Sequence, residues 1–378
     1  MRRRSGNMVK LGSVCEIIGG GTPSKSKSEY YNGKIPWASV RDMRSEILKN
    51  TELTITEEAV IHSSSKIITK GNVIIATRVG LGKVCLLNQD TAINQDLKGV
   101  IPKKNNLNPD YLFWWFKSIS EEIINAGTGL TVQGVKLPFI KELNFPLIPL
   151  SEQKQIVEIL DQAFTAIDQA KANIEKNIQN AKELFQSKLN DIFSQKGDGW
   201  EEKKFKEVCI LQRGFDLPKR LRKKGEYSLV TSSGIKESIF DYKVEGPGVV
   251  TGRSGSIGNV FYVNNNFWPL NTALYIKDFK GNNELYIYYF LKNFDLSKYS
   301  SGAGVPTLNR NFVHDKFVLS TNNIEDQIAI VNTLESLNNK SKEVENNYLL
   351  KLSTLEELKK SILQKAFAGE LTNKMAEV

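Results

Sequence analysis

Arginine in a glycine-bearing loop is the strongest chemical signal in this chain, and it occurs twice. Arg78 lies in ATRVGLGKV (76–84) and Arg253 in TGRSGSIGNV (251–260), each between two strand-like runs. Small neighbours let a guanidinium approach a ligand, and its rigid fork suits two acceptors at once, on a guanine edge or a phosphate. Asn94–Gln95 and Asn271–Thr272 stand at corresponding places, and Asn or Gln carboxamides can read adenine. Arg41, Lys83 and Thr128 extend the first set; Thr307, Asn309 and Arg310 extend the second, with Thr128 and Thr307 beside the glycines of 127–129 and 302–304. Lys219 and Arg220 open a dense basic run, KRLRKK (219–224), suited to phosphate contact rather than to base edges. For each residue the plainer reading is an ordinary solvated loop.

Catalytic groups are scarce. The chain has two histidines, His62 and His314, and three cysteines, Cys15, Cys85 and Cys209, none in C-x-x-C spacing. It lacks the G-x-x-x-x-G-K-[ST] loop of an ATPase and the Asp/Asn-Pro-Pro-aromatic pocket of an amino-methyltransferase. GGGTPSKSK (19–27) is glycine-rich but reads as a turn. The expectation is a protein that binds and does not catalyse, with no catalytic residue, no metal site and no cofactor of its own. No apolar run approaches the ~18 residues of a membrane span. MRRRSGNMVKLGS lacks the apolar core of a secretory signal, and Met8 offers an alternative start. A cytoplasmic protein with no membrane contact is expected.

Two such loop sets need two scaffolds, and the chain repeats itself. KLGSVCEI (10–17) aligns with KFKEVCIL (204–211), and ATRVGLGKV with TGRSGSIGNV, which puts Arg78 opposite Arg253. YLFWWF (111–116) matches LYIYYF (285–290), GTGL (127–130) sits opposite GAGV (302–305), and SEQKQIVEIL (151–160) matches EDQIAIVNTL (325–334), with Gln153 opposite Gln327. The offset falls from 194 to 174, so the first copy carries about twenty extra residues between Pro23 and Arg78. Charge follows the same division: the net is +7 over residues 1–150 and +5 over 197–322, within a total of +9. A basic excess held in two blocks suggests two sites for a polyanion.

Strand-like runs at 73–77, 84–87, 228–231, 248–251 and 260–263, with helices at 110–125 and 284–293, predict α+β blocks. Trp114, Trp115, Tyr288 and Tyr289 fall at helical spacing and are expected in the core. Each block ends in a segment free of proline and glycine, Ser151 to Lys196 and Asn323 to Ala368. Ser151 and Asn323 are expected N-caps, and Gly197 and Gly369 the stops. Apolar residues at Ile156, Leu160, Ala163, Ile167, Ala170, Ile174, Ala181 and Leu184 predict a coiled-coil seam, as do Ile330, Leu334, Leu337, Val344, Tyr348, Leu355, Leu358 and Ile362.

Taken in order, these features resemble the specificity subunit of type I restriction–modification systems. The carriers are the repeated starts VKLGSVCEIIGGGTPS and GWEEKKFKEVC, the segment IPWASVRDM (35–43), the TRVGLG and GRSGSIG loops, LPFIKELNFPLIPLSEQKQIVEIL and the closing SILQKAFAGELT. The resemblance covers essentially the whole chain and lies in order, spacing and duplication rather than in a single signature. It implies two similar α+β target recognition domains separated by two long antiparallel coiled-coil helices, with an internal pseudo-two-fold repeat. The boundaries are then 1–150 and 197–322 for the recognition domains, 151–196 and 323–369 for the spacer helices, and 370–378 for a tail. Each domain would read one half of an asymmetric bipartite site on double-stranded DNA, while the helices set the spacer and dock partners. Those partners would be two modification subunits, which bring S-adenosylmethionine, and restriction subunits, which bring ATP and magnesium. Two other readings stay open: the specificity part of a fused restriction–methylation enzyme, and a coiled-coil adaptor that does not bind DNA.

Overall fold

Four antiparallel strands recur in the same order in both halves of the chain. The structure, a computed structural model, describes residues 7–128, 134–194, 199–302 and 306–371. Gly129, Gly197 and Gly304, expected to mark loops or a helix stop, lie outside these. In the first half Cys15–Gly19 pairs with Leu97–Pro102, then Val73–Ala76, then Val84–Leu87. In the second half Ile210–Arg213 pairs with Ala273–Asp278, then Gly248–Gly252, then Val260–Val263. A parallel pair accompanies each sheet: Tyr31–Ala38 beside Thr91–Ile93, and Lys224–Thr231 beside Phe267–Pro269. Leu53–Ile55 pairs with Tyr31–Ala38 as Gly234–Ile239 pairs with Lys224–Thr231, so the extra residues of the first copy include the strand Ile47–Leu48 and the helix Glu57–Ile61.

The chain divides into two units. Unit one comprises Met1–Asn173 and Lys351–Val378, and unit two comprises Ile174–Leu350. In each, an aromatic helix fills the space under the sheet. Asn108 caps Pro109–Ser118 by accepting from the Asp110 N–H at 2.7 Å, and Asn283 caps Glu284–Asn293 by accepting from the Tyr286 N–H at 3.0 Å. The single helix expected over 110–125 breaks at Ile119, whose ψ of 12° leaves the helical region before Ser120–Asn125 begins. Trp114, Trp115 and Tyr289 are buried as expected, and Tyr288 is half-buried. The Trp114 indole donates to Asp161 at 2.9 Å, and the Tyr289 hydroxyl donates to Glu335, so each aromatic helix is tied to an acid on a long helix of its own unit.

The long helices run Leu150–Ser194 and Ile324–Ala368. Ser151 is inside the first helix rather than its cap, because the turn begins at Pro149, whose carbonyl accepts from the Gln153 N–H at 3.1 Å. Asn323 does cap the second, accepting from the Glu325 N–H at 2.9 Å, and Gly369 ends it at φ 83°. Within unit one Lys171 pairs with Glu356 and Lys359 with Asp168; within unit two Lys182 pairs with Glu345 at 2.8 Å and Asn177 bonds Tyr348 at 3.2 Å. Rising numbers on one helix meet falling numbers on the other, so in each unit the two run antiparallel.

One stripe of each expected seam is displaced by a residue. Leu184, Val344 and Leu358 are exposed, whereas Phe164, Phe185, Leu352 and Lys359 are covered. The seven-residue period is kept, but the second stripe falls four residues after the first instead of three, as on a broader core-facing surface. Both units bury residues from both long helices. Unit one encloses Ile156, Leu160, Leu363 and Ala366; unit two encloses Leu189, Phe193, Val331 and Leu334.

Candidate nucleic-acid interface

In each unit, loops from four different elements converge, and the same backbone hydrogen bonds hold them. Thr77 and Arg78 both donate their N–H to the Asp96 carbonyl, at 2.9 and 3.3 Å; Arg253 and Ser254 both donate to that of Thr272, at 2.9 and 3.1 Å. The Thr77 carbonyl accepts from Val135 at 2.9 Å, and the Arg253 carbonyl from Leu308 at 2.8 Å. The Ala76 N–H donates to Lys83 at 3.0 Å, and Gly252 to Asn259 at 3.1 Å. Gly21 donates to Ile93 at 3.0 Å, and Phe215 to Pro269 at 2.8 Å. Gly20 and Gly214 make room for that approach: a Cβ on either would stand 2.2 Å from a carbonyl oxygen.

These bonds correct the repeat alignment. Arg253 occupies the place of Thr77, and Arg78 that of Ser254. Gln95–Asp96, rather than Asn94–Gln95, correspond to Asn271–Thr272. Gly134 corresponds to Thr307, since Arg78 bridges Gly134 as Ser254 bridges Thr307. Thr128 pairs with Gly134 and Thr307 with Ser301, so the two threonines lie on opposite arms of equivalent ribbons.

With a shared backbone, the side chains are free to differ, and on the converging loops the polar positions do: Arg78 stands against Ser254, Gln95 against Asn271, Asp96 against Thr272 and Gly134 against Thr307. In unit one Arg78 is half exposed, its Nη1 3.7 Å from Asp96 Oδ1. Gly134 lies directly beneath it, where a Cβ would stand 3.0 Å from Arg78 Cγ. Gln95 is exposed, takes the Thr22 hydroxyl and donates to Asp96 Oδ2 at 3.2 Å. Asn94 is buried, with both ends of its carboxamide bonded to Asp96 at 3.1 Å; it braces the loop and presents nothing to a ligand. Lys98 donates to the Gln95 carbonyl at 3.0 Å, and burial lowers its pKa against the pull of Asp96. Lys83 is exposed at the end of the Arg78 loop, and Arg41 is exposed on the turn Val40–Asp42, whose Val40 lies against Gly80.

In unit two the groups are redistributed. Arg253 donates to the Asn271 carbonyl at 3.3 Å, Asn271 donates to Asp216, and Arg213 lies 3.4 Å from the same carboxylate. Thr272 is half-buried beside them. Arg310 donates to Gln212, and Asn309 caps the short helix Arg310–His314 by accepting from the Asn311 N–H at 3.0 Å. Lys219 and Arg220 are exposed on a separate turn, Lys219–Leu221. Thr22, Asp96, Lys98, Gly134, Gln212, Arg213 and Asp216 were not singled out from the sequence, although the glycine repeated at 20 and 214 marks one of the loops.

Each cluster is thus a cationic rim around one carboxylate, Asp96 in one unit and Asp216 in the other. Guanidinium and carboxamide groups can contact phosphates and guanine or adenine edges, and a carboxylate can accept from the cytosine amine. The cysteines take no part: all three are buried, and burial pushes the Cys15 thiol up to about 12 and the Cys85 thiol to about 11. His62 is exposed, while His314 Nε2 accepts from the Leu211 N–H at 3.0 Å. No helix among the described residues is long and apolar enough to cross a membrane.

A family model described as the type I restriction modification DNA specificity domain matches this chain twice, over residues 6–180 and 197–362. The specificity subunit of the Escherichia coli type I restriction enzyme EcoR124I/EcoR124II is 35% identical over 191 residues, 49% of this chain and 47% of that protein. The MjaIX specificity subunit of Methanocaldococcus jannaschii is 28% identical over 233 residues, 57% of this chain and 54% of that one. The chain therefore spans about half the length of the curated relatives it matches. Two solved structures share the fold. A chain from a study of complex assembly and conformational transition of the type I R-M system superposes with a TM-score of 0.81 at 18% identity, covering 98% of this chain and 100% of the other. The HsdS subunit from Thermoanaerobacter tengcongensis gives 0.64 at 18% identity, covering 98% and 99%.

Proposed function

This chain belongs to the type I restriction–modification DNA specificity family, and we propose that it is the sequence-reading part of such a complex. Each unit reads one half of a bipartite site on double-stranded DNA. The carrying observation is the pair of loop clusters with one backbone hydrogen-bond pattern and different side chains at the equivalent positions 78/254, 95/271, 96/272 and 134/307. One docking geometry with two sets of readers yields two different half-sites, hence an asymmetric target.

The long helices set the spacer and carry the docking surface for two modification subunits, which supply S-adenosylmethionine and methylate the site. Restriction subunits supply ATP-driven, magnesium-dependent cleavage. The chain itself transfers no methyl group and hydrolyses no nucleotide, and it works in the cytoplasm with the host DNA. Of the candidate readers, Arg78, Gln95, Arg253, Asn271 and Thr307 stand on the converging loops; Lys83, Arg41, Lys219 and Arg220 contact phosphates.

The test is to assemble the chain with its modification subunits and map methylated adenines by sequencing. One asymmetric bipartite motif is expected. Replacing residues 197–322 by the matching segment of another family member should change one half of that motif and leave the other intact. Both halves changing together, or methylation by the chain alone, would refute this assignment.

A further inference from the structure

Unit two carries a second cationic surface that the loop cluster does not use. Within KRLRKK, only Arg222 is tied down: its Nε donates to the Leu217 carbonyl at 3.1 Å and its guanidinium pairs with Glu237. Lys219, Arg220, Lys223 and Lys224 are exposed and form no ion pair with any described residue. The hairpin of Lys224–Thr231 and Gly234–Ile239 returns the chain to this run, and Phe240 donates its N–H to the Lys223 carbonyl at 2.9 Å. Gly225 permits the approach, since a Cβ there would stand 2.3 Å from Phe240 Cα. Phe240 is left 72% exposed, one backbone bond from Lys223 in this run. Of the acids near by in sequence, Glu226 bonds the Tyr227 hydroxyl and Asp241 accepts from the Tyr242 N–H at 2.8 Å.

Resting on the reading of the chain as a DNA-binding subunit, we propose that this segment is a duplex-contact surface separate from the base-reading loops. Lys219, Arg220, Lys223 and Lys224 hold the sugar–phosphate backbone, and the Phe240 ring lies against the groove wall between held phosphates. Four uncompensated cations within six residues match a polyanion with closely spaced charges. They fit poorly at the core of a protein–protein interface, where charged residues are depleted. The corresponding stretch of unit one, KSKSEY (25–30), has only two lysines, and Lys27 donates to the Tyr30 hydroxyl at 3.0 Å. The surface belongs to unit two alone. It therefore adds a sequence-independent, salt-sensitive contribution that is specific to unit two.

The experiment measures binding of duplex carrying the full site, across a salt series, by the chain assembled with its modification subunits. The variant with glutamine at all four cationic positions should lower the salt slope by about 3–4, at roughly 0.9 per phosphate contact, and keep the same base preference. Phe240→Ala should weaken binding about tenfold at an unchanged slope. The pair Lys219→Gln/Arg220→Gln lies on an exposed turn and should give about half the slope change, which covers the case of a quadruple variant that misfolds. A parent-like slope in a folded variant would overturn the proposal while leaving DNA reading by the loops intact. Failed assembly with the modification subunits at an unchanged slope would assign the surface to a protein and equally overturn it. A parent complex with no affinity for DNA would sink both readings.

Discussion

Gln153 Oε1 accepts the backbone N–H of Asn108 at 2.8 Å, so the first residues of a long helix hold the cap of the aromatic helix. Its Nε2 donates to the carbonyls of Asn106 and Ile148, at 2.9 and 2.8 Å. Gln327 repeats the arrangement in the other unit, accepting from Asn283 at 2.9 Å and donating to Asn282 and the Thr321 carbonyl. Both glutamines are fully buried. The carboxamide is the side chain that can accept once and donate twice from a single site without charge.

Gln153→Leu and Gln327→Leu should therefore each destabilise the chain by about 2–4 kcal/mol, because several backbone partners are left dry and unpaired. They share no partner, so the double variant should be close to additive. Urea titration at constant m would check this, and a loss below ~1 kcal/mol would mean the bonds are replaced by water.

His314 makes unit two sensitive to mild acid. Burial, then the neighbouring Arg310 charge, holds its pKa below the ordinary 6.5, with Asp315 opposing and Lys206 adding. The unfolded chain therefore takes up the proton first, and this contribution is complete above pH 6.5 and lost as pH falls below it. Protonation also removes the acceptor for the Leu211 N–H. His314→Gln should flatten the urea midpoint between about pH 5 and 7; an equally steep decline in the variant would place the acid sensitivity elsewhere.

Arg78→Ala should cost ~1–3 kcal/mol of DNA binding and relax the choice at one base pair. Asp96→Asn should broaden that choice too, by releasing the guanidinium it orients. Binding assays on a panel of single-base variants would decide; a uniform loss, with the salt slope down by about one, would make Arg78 a phosphate contact.

Removing residues 173–179 together with 347–353 tests spacing. These stretches correspond in the repeat, 174 residues apart. Seven residues at 1.5 Å shorten each helix by about 10 Å, roughly three base pairs of DNA. The methylated motif should keep its two halves and lose about three bases between them. An unchanged spacer would show that the helices do not set it.

The duplication, the two helices and the paired glutamines were legible in the sequence because each recurs in both halves as the same local pattern. Registers were less so. Arg78 was set against Arg253 because both are arginines, yet the bonds to Asp96 and Thr272 move the match by one residue. A loop under selection to differ offers similar side chains at places its backbone does not equate. Asn94 shows a related limit: a carboxamide has the same chemistry whether it faces a ligand or, as here, ties down Asp96. Leu184 and Phe185 show another, since adjacent apolar residues leave a helical stripe two ways to run, and only packing against the rest of unit two selects Phe185.

The enclosure of Leu363 and Ala366 in the core of unit one has a consequence for how the molecule comes into being. On the ribosome, residues 1–173 emerge first but cannot seal their interior until the last helix has been made. Unit two has all of its residues some time earlier. The block synthesised first is thus the one finished last, and until then an apolar surface waits open for a helix that another copy of the same chain already carries.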